Sequence, residues 1–288
     1  QMIHSPEVFI DPVEVDCLLG IRSEFGGLAA IEAACVGRSQ FGSRVDQLEL
    51  LRLRILDAWA LNDHVVVRGL PRSDDGSTGL LVAMLVFAAL KPYRNGQIVK
   101  HFRMSPWTTA LSHTTAKGTF HTDINTASSP PAATVMQCLD PDPDAPRYGQ
   151  LRVARIDSLL DVLETGGRKD ALRFLREDRV TMLNETSPNG WSGTMFGDGM
   201  LRFHAESLRA AQRRYGSNPP DMESCLAAIE KAALAVSKPI DLASGEILIV
   251  SNHRALHQRG ACSVQFREYP KVFDSRRVAV FHTLVEPA

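Results

Sequence analysis

From about residue 97 onward the chain is written as short β-branched runs cut apart by Pro, Gly, Asn and Asp. "TVMQCL" (134–139), "LRVARI" (151–156), "EILIVS" (246–251) and "RVAVFHTLV" (277–285) are the clearest of them. Runs of this length make strands, and the turn residues between them reverse the chain, so the series belongs to a β-sandwich or jelly roll. The first 95 residues are different. "SRVDQLELLRLRILDAWAL" (43–61) sets Val45, Leu48, Leu51, Leu53, Ile55, Leu56 and Trp59 close to helical spacing, which predicts an amphipathic helix covering a sheet. "DHVVVRGLP" reads as a strand closed by Gly69 and Pro71, and "GLLVAMLVFAAL" (79–90) as a helix buried on all sides. That apolar run is too short to cross a bilayer, which takes about 20 residues. Late in the strand series, "SLLDVLETGGRKDALRFLRE" and "DMESCLAAIEKAALAVSK" look helical, the second with Asp221 as its cap. The predicted fold class is therefore α+β in one domain, 1–288. A helical layer spans about 1–95, and a jelly-roll core about 97–285 carries a helical and loop insert at about 158–240.

Composition narrows the function. A formal net charge of -1 offers no basic excess for phosphate contacts, so neither nucleic acid nor an anionic membrane is an expected partner. Five scattered cysteines (Cys17, Cys35, Cys138, Cys225, Cys262) form no C-x-x-C and no disulfide framework, which fits a reducing cytoplasm. "QMIHSPEVFIDPVEV" lacks a basic region followed by an apolar core, so a soluble, unexported protein is expected.

The candidate chemistry lies in "GTFHTDINTASSPP" (118–131). An H-x-D triplet is common by chance. On a strand, however, period-two geometry would put His121 and Asp123 on one face, and "GEILIVSNHRALHQRG" offers His253 and His257 as a third ligand. Two imidazoles and one carboxylate with three positions left over form the facial triad of non-haem iron(II) oxygenases.

Taken in order, "GTFHTD", "SPPAATVMQCLDPDP", "YGQLRVARIDSLLDVL" and "ILIVSNHRALHQRG" resemble the taurine dioxygenase and clavaminate synthase-like iron(II)/2-oxoglutarate-dependent dioxygenases, over roughly residues 60–285. The resemblance implies a double-stranded β-helix core, Fe(II) held by His121, Asp123 and His257, and 2-oxoglutarate and dioxygen as co-substrates. It implies hydroxylation of an unactivated carbon in a small polar molecule, such as an amino acid or a specialised-metabolite intermediate, with release of succinate and CO2. Related halogenases are expected to have Gly or Ala where this chain has Asp123, so hydroxylation is favoured over halogenation. His253 falls where the family more often has Arg or Asn and is assigned to the turn. His101, His113, His204 and His282 are assigned to the core edge or the pocket wall.

The family also anchors the distal carboxylate of 2-oxoglutarate with an arginine on a late strand, for which "DSRRVAVFHTLV" offers Arg276 and Arg277. A planar guanidinium suits a carboxylate because it can donate two parallel hydrogen bonds. Arg277 is favoured because Ala279 on the same face leaves room beside it, with Arg267 an outside candidate. Two departures stand out. The interval from His257 to this strand is longer than the family norm, and "YGQLR" replaces a Gly-Gly-x-Thr segment, with Arg152 expected either to compensate for the absent threonine or to face solvent. Ser112, His113, Thr114 and Arg202 are the candidate substrate contacts, and the Gly-rich segment 184–204, with Trp191 and Phe196, is a candidate lid. A zinc-dependent hydrolase at the same triad and a non-catalytic jelly-roll binding protein are the competing expectations.

Overall fold

The computed structural model describes residues 5–35, 37–93, 95–184 and 190–287. Its larger sheet has six strands, in the order Glu7–Phe9, His64–Arg68, Ile247–Ser251, Ala133–Asp140, Arg277–Thr283 and Lys100–Arg103. Only the first pair is parallel. A smaller antiparallel sheet joins Lys238–Ile240, Leu151–Arg155 and Ala255–Arg259.

Side-chain alternation shows how the layers stack. In Ile247–Ser251 the residues Ile247 and Ile249 enter the cluster under the N-terminal helices. Leu248 and Val250 instead join Val66 and Met136 against Leu151, Val153 and Ala255 of the smaller sheet. This strand is apolar from Ile247 to Val250 because both of its faces are covered. The outer face of the smaller sheet, with Ala154, Leu256 and Phe120, is covered in turn by the helices Ile156–Thr165, Lys169–Arg176, Ala205–Tyr215 and Met222–Val236.

The N-terminal layer comprises Pro12–Phe25, Leu28–Ala33, Val45–Asn62 and Ser77–Val86, and it also contributes two strands to the larger sheet. Asp11 and Glu14 form a reciprocal capping box ahead of Pro12, and Gly26 at φ 79° ends the first helix. Val45–Asn62 buries Leu48, Leu51, Ile55, Ala58 and Trp59 as its pattern predicts, whereas Leu53 points to solvent. Ser77–Val86 is buried along its whole length. Gln137 ties it to the sheet by accepting from Gly79 N (3.0 Å) and donating to Thr78 Oγ1 (2.7 Å) and Gly245 O (2.9 Å).

Two boundaries shift from the sequence-based expectation. The insert ends by returning Lys238–Ile240 to the smaller sheet as a strand. Asp221 stands at the start of Met222–Val236 but makes no side-chain cap; its carboxylate takes a hydrogen bond from Arg173 Nη2 at 2.6 Å instead. An ion pair across helices competes successfully with the local cap. No helix among the described residues is long and apolar enough to cross a membrane.

Candidate metal centre

The two histidines of the triad meet across a strand edge. Ala255 faces the space between the sheets, so period-two alternation carries His257 to the same side. His121 adds to that strand through one antiparallel bridge, exchanging N–H···O bonds of 3.0 Å with His257 in both directions. The imidazole centroids lie 4.4 Å apart. Directly opposite residues of an antiparallel pair are natural neighbours, so this pairing sets the spacing of the two rings.

Asp123 is brought in by a different device. The chain leaves the strand after His121 and turns at Ile124, which has φ 54°. Asn252 then grips the Asp123 peptide: its Oδ1 accepts from Asp123 N (2.6 Å), and its Nδ2 donates to Asp123 O (3.0 Å) and Pro131 O (3.0 Å). Asp123 Oδ1 ends 3.4 Å from His121 Nε2 and 3.7 Å from His257 Nε2. One donor atom from each of His121, Asp123 and His257 lies within 4.8 Å of the others, and among the described residues no other group of three His, Cys, Asp or Glu side chains does so.

Protonation suits these atoms to a metal. Thr119 O can only accept, so at 2.8 Å His121 Nδ1 carries the proton and Nε2 keeps its lone pair. Burial alone would raise the Asp123 carboxyl, but His257, His121 and His282 around it hold it well below the usual carboxylate range. Burial pushes the His257 imidazole down to about 3, leaving it neutral near pH 7. His121 is also desolvated, yet its contact with Asp123 outweighs this and raises its pKa. Two lone-pair nitrogens and one ionised oxygen converging from one side fit a divalent transition metal bound on a face. Helix Met222–Val236 braces both segments: Glu230 accepts from Phe120 N (3.0 Å), one residue before His121, and from Gln258 Nε2 (2.8 Å), one residue after His257.

The candidate arginines separate clearly. Arg277, expected as the anchor, lies on the outward side with a side chain 37% exposed, and its Nε donates to Asp140 Oδ2. Arg276 is 5% exposed and makes no side-chain hydrogen bond or ion pair with a described residue. Its charge acts on Cys138, Arg259 and Cys262. Cys138 shares the inward face of Met136, and Arg259 that of His257, so Arg276 belongs to the inter-sheet side. Alternation along the strand groups Arg276 with Val278, Val280 and His282, of which Val280 packs between the sheets and His282 meets Asp123. Ala279 and Phe281, the companions of Arg277, lie under the N-terminal helices, so the room beside Ala279 from which Arg277 was inferred is on the other face. Gly149 makes room for Arg276: a Cβ there would lie 3.3 Å from its Cδ and 2.7 Å from Asp142 Cβ. Arg259 was not singled out by sequence; its guanidinium lies against Met104 Sδ and donates to Ala116 O (2.7 Å), while its buried Nε has no partner.

The other predicted residues are placed as follows. Arg152 donates to Ser237 O at 3.2 Å, under the insert, and Arg267 pairs with Asp274 on the surface. Arg202 is committed to the loop behind the triad, donating to Asn125 O (2.8 Å), Ala127 O and Ser128 O (2.9 Å), with Trp191 on its face. These carbonyls compete directly with the substrate carboxylate expected for it. Ser112 is exposed in a turn, and Thr114 Oγ1 accepts from Ala116 N. His113 packs on Phe102 and reaches Arg103 O. The segment is tied to Ser105 through a bridge with Thr114. His253 donates toward Pro130 O, and His101 toward Asp75 O.

Two histidines assigned to the core edge or pocket wall in fact border the triad. The His204 ring stands 5.5 Å from that of His121, and burial, with His121 beside it, lowers its pKa to about 4. His282 Nε2 lies 2.9 Å from Asp123 Oδ2. No local motif marks either of them. Within the candidate lid, residues 185–189 lie outside the described residues. The remainder forms two hairpins, Arg179–Leu183 with Gly190–Thr194 and Phe196–Gly197 with Met200–Leu201. Phe203 next to them exchanges hydrogen bonds with Thr122, which brings His204 to the centre.

Solved structures share this architecture. An asparagine oxygenase in complex with Fe(II), 3-hydroxyasparagine and succinate superposes with a TM-score of 0.73 at 16% identity, covering 97% of this chain and 94% of that one. The non-heme iron oxygenase OrfP, bound to Fe and alpha-ketoglutaric acid, gives 0.65 at 17% identity over 98% and 94%. OrfP with Fe, succinate and (3S)-hydroxy-L-Arg gives 0.63 at 17% identity over 97% and 94%. The chain has the fold of these non-haem iron oxygenases. No family model and no curated protein matches its sequence.

Proposed function

We propose that this protein is an iron(II)- and 2-oxoglutarate-dependent oxygenase that hydroxylates a carbon of a small polar molecule, an amino acid. The observation that carries this is the convergence of His121, Asp123 and His257 on the inter-sheet side, on which a buried, unpartnered Arg276 also lies. The two stacked sheets serve as one double-stranded β-helix within a single catalytic domain, closed outside by the N-terminal helices and the insert. Five free thiols fit a cytoplasmic setting.

Fe(II) in such a site supplies the activation of dioxygen coupled to oxidative decarboxylation of 2-oxoglutarate. One oxygen atom enters succinate and the other the product, with loss of CO2, so the reaction balances without a further reductant. The protein's own contribution is binding and orientation. His121 and His257 present Nε2 atoms, and Asp123 presents one carboxylate oxygen. Arg276 receives the distal carboxylate of 2-oxoglutarate, a role the geometry favours it for over Arg277, and Arg259 adds positive charge beside it. His204 lines the space next to His121, where a substrate would lie. Support for an amino-acid substrate comes from the asparagine oxygenase and OrfP complexes with hydroxylated amino acids. A zinc hydrolase at the same triad has no use for a buried arginine on the same inter-sheet side.

The test is anaerobic titration of metal-free protein with Fe(II), then 2-oxoglutarate, beside His121→Ala. A visible charge-transfer band requiring both additions and absent in the variant is the expected result. Well-folded wild-type protein with no band refutes the proposal.

A further inference from the structure

Asp123 has two carboxylate oxygens, and the structure treats them differently. Oδ1 faces the imidazoles of His121 and His257. Oδ2 is turned the other way, accepting from Thr134 Oγ1 at 2.8 Å and meeting His282 Nε2 at 2.9 Å. His282 is 6% exposed and lies on Arg277–Thr283, in the larger sheet, opposite the strand that carries His257. Its other ring nitrogen, Nδ1, lies 2.7 Å from the Tyr93 hydroxyl. The carboxylate can only accept, so Nε2 carries a proton and donates it to Oδ2, with the Tyr93 hydroxyl engaging the far side of the ring at Nδ1. Burial and then the Asp123 charge push the Tyr93 phenol up to about 12, which keeps the hydroxyl proton in place, and Lys100 Nζ sits 3.7 Å from the ring centroid. Thr134 and His282 thus both donate to Oδ2, and Tyr93 fixes the imidazole from behind.

We propose that His282, backed by Tyr93, is a positioning residue of the metal centre: it holds Asp123 Oδ2 so that the carboxylate ligates through Oδ1 alone. This rests on the metal-site assignment above. A carboxylate free to rotate can bind through two oxygens or swing away, and either would change the number of positions left for co-substrates. With Thr134 and His282 both donating to Oδ2, rotation would break two hydrogen bonds to an ionised group. Partners of this kind orient metal ligands, and their removal costs roughly 10–100-fold in metal affinity.

The experiment is anaerobic titration of metal-free protein with cobalt(II), following the visible ligand-field bands, in wild type, His121→Ala, His282→Gln, His282→Asn and Tyr93→Phe. Gln can place an N–H where His Nε2 stands, whereas Asn is too short to reach Asp123. The expected result is an affinity loss of about 10–100-fold with altered bands in His282→Asn, near-wild-type behaviour in His282→Gln, and a smaller loss in Tyr93→Phe. Circular dichroism and thermal melts confirm folding. If His282→Gln and His282→Asn bind cobalt alike, the positioning role is overturned. Should His282→Asn fail to fold, wild-type affinity and bands in Tyr93→Phe overturn it instead. A wild-type titration that His121→Ala leaves unchanged would refute the metal centre itself, an outcome distinct from either.

Discussion

Replacing Arg276 by Met separates binding from stability in one side chain. Arg276 is a buried residue with no ion-pair partner among the described residues, so its charge makes no pairing contribution to the ligand-free fold. In the bound state it would donate two charge-assisted hydrogen bonds to a carboxylate, each contributing roughly 1.5–3 kcal/mol. Taking the lower figure for both gives about 3 kcal/mol, or on the order of 100-fold in 2-oxoglutarate affinity. Met keeps much of the volume and removes the charge, so the melting temperature of ligand-free protein should hold or rise. Arg277→Ala is the contrast. It breaks a half-exposed pair with Asp140, worth about 0–1 kcal/mol, and should leave 2-oxoglutarate binding unchanged. Isothermal titration of the anaerobic Fe(II) protein with 2-oxoglutarate, beside thermal melts, measures both. Loss of affinity in Arg277→Ala with Arg276→Met unaffected would refute the assignment.

Asn252→Ala removes three hydrogen bonds from a fully buried side chain and should cost about 2–4 kcal/mol, seen as a fall of several degrees in melting temperature together with weakened metal binding. Gly149→Ala introduces a Cβ at φ 76°, 2.7 Å from Asp142 Cβ and against Arg276, so chemical denaturation should show a loss of about 1–3 kcal/mol and titration weaker 2-oxoglutarate binding. For metal-free protein, His257 is depressed to about 3 when folded against about 6.5 unfolded. The unfolded state therefore binds more protons between those values, and stability contributed by this group is lost as pH falls from about 6.5 toward 3. Depressed Asp123 acts in the same direction, being fully stabilising only above its unfolded pKa, while raised His121 opposes both. Urea unfolding from pH 8 to pH 4 checks the sum. Metal binding should weaken as pH falls through the raised His121 pKa, because a protonated Nε2 has no lone pair to give.

Local sequence was sufficient where a local rule governs. The β-branched runs at 134–139 and 246–251 became neighbouring central strands, and the apolar run expected as a helix over 79–90 is a buried helix only to Val86, after which the chain extends and Ala88 is exposed. His121, Asp123 and His257 were visible because two lie in an H-x-D triplet and the third follows a strand with a turn. At Arg276 and Arg277 alternation held, but which face is the inner one is set by layer packing: Ala279 and Phe281 lie under the N-terminal helices and Val280 between the sheets, so Arg276 shares the inner face. Asp221 failed as a cap because Arg173, 48 residues away in sequence, took its carboxylate. Arg202 looked free for a substrate because the carbonyls it holds lie 74 to 77 residues earlier.

The sequence by itself determined the element types, the alternation of buried faces and the three donor side chains, since each depends on residues within a turn or a strand of one another. Tertiary structure alone decided which arginine lies inward, that Asn252 and Glu230 brace the donors, and that His204 and His282 border them. Those contacts join segments brought together by strand pairing and layer packing. The partners of a buried charge are chosen by that proximity, which no local pattern encodes.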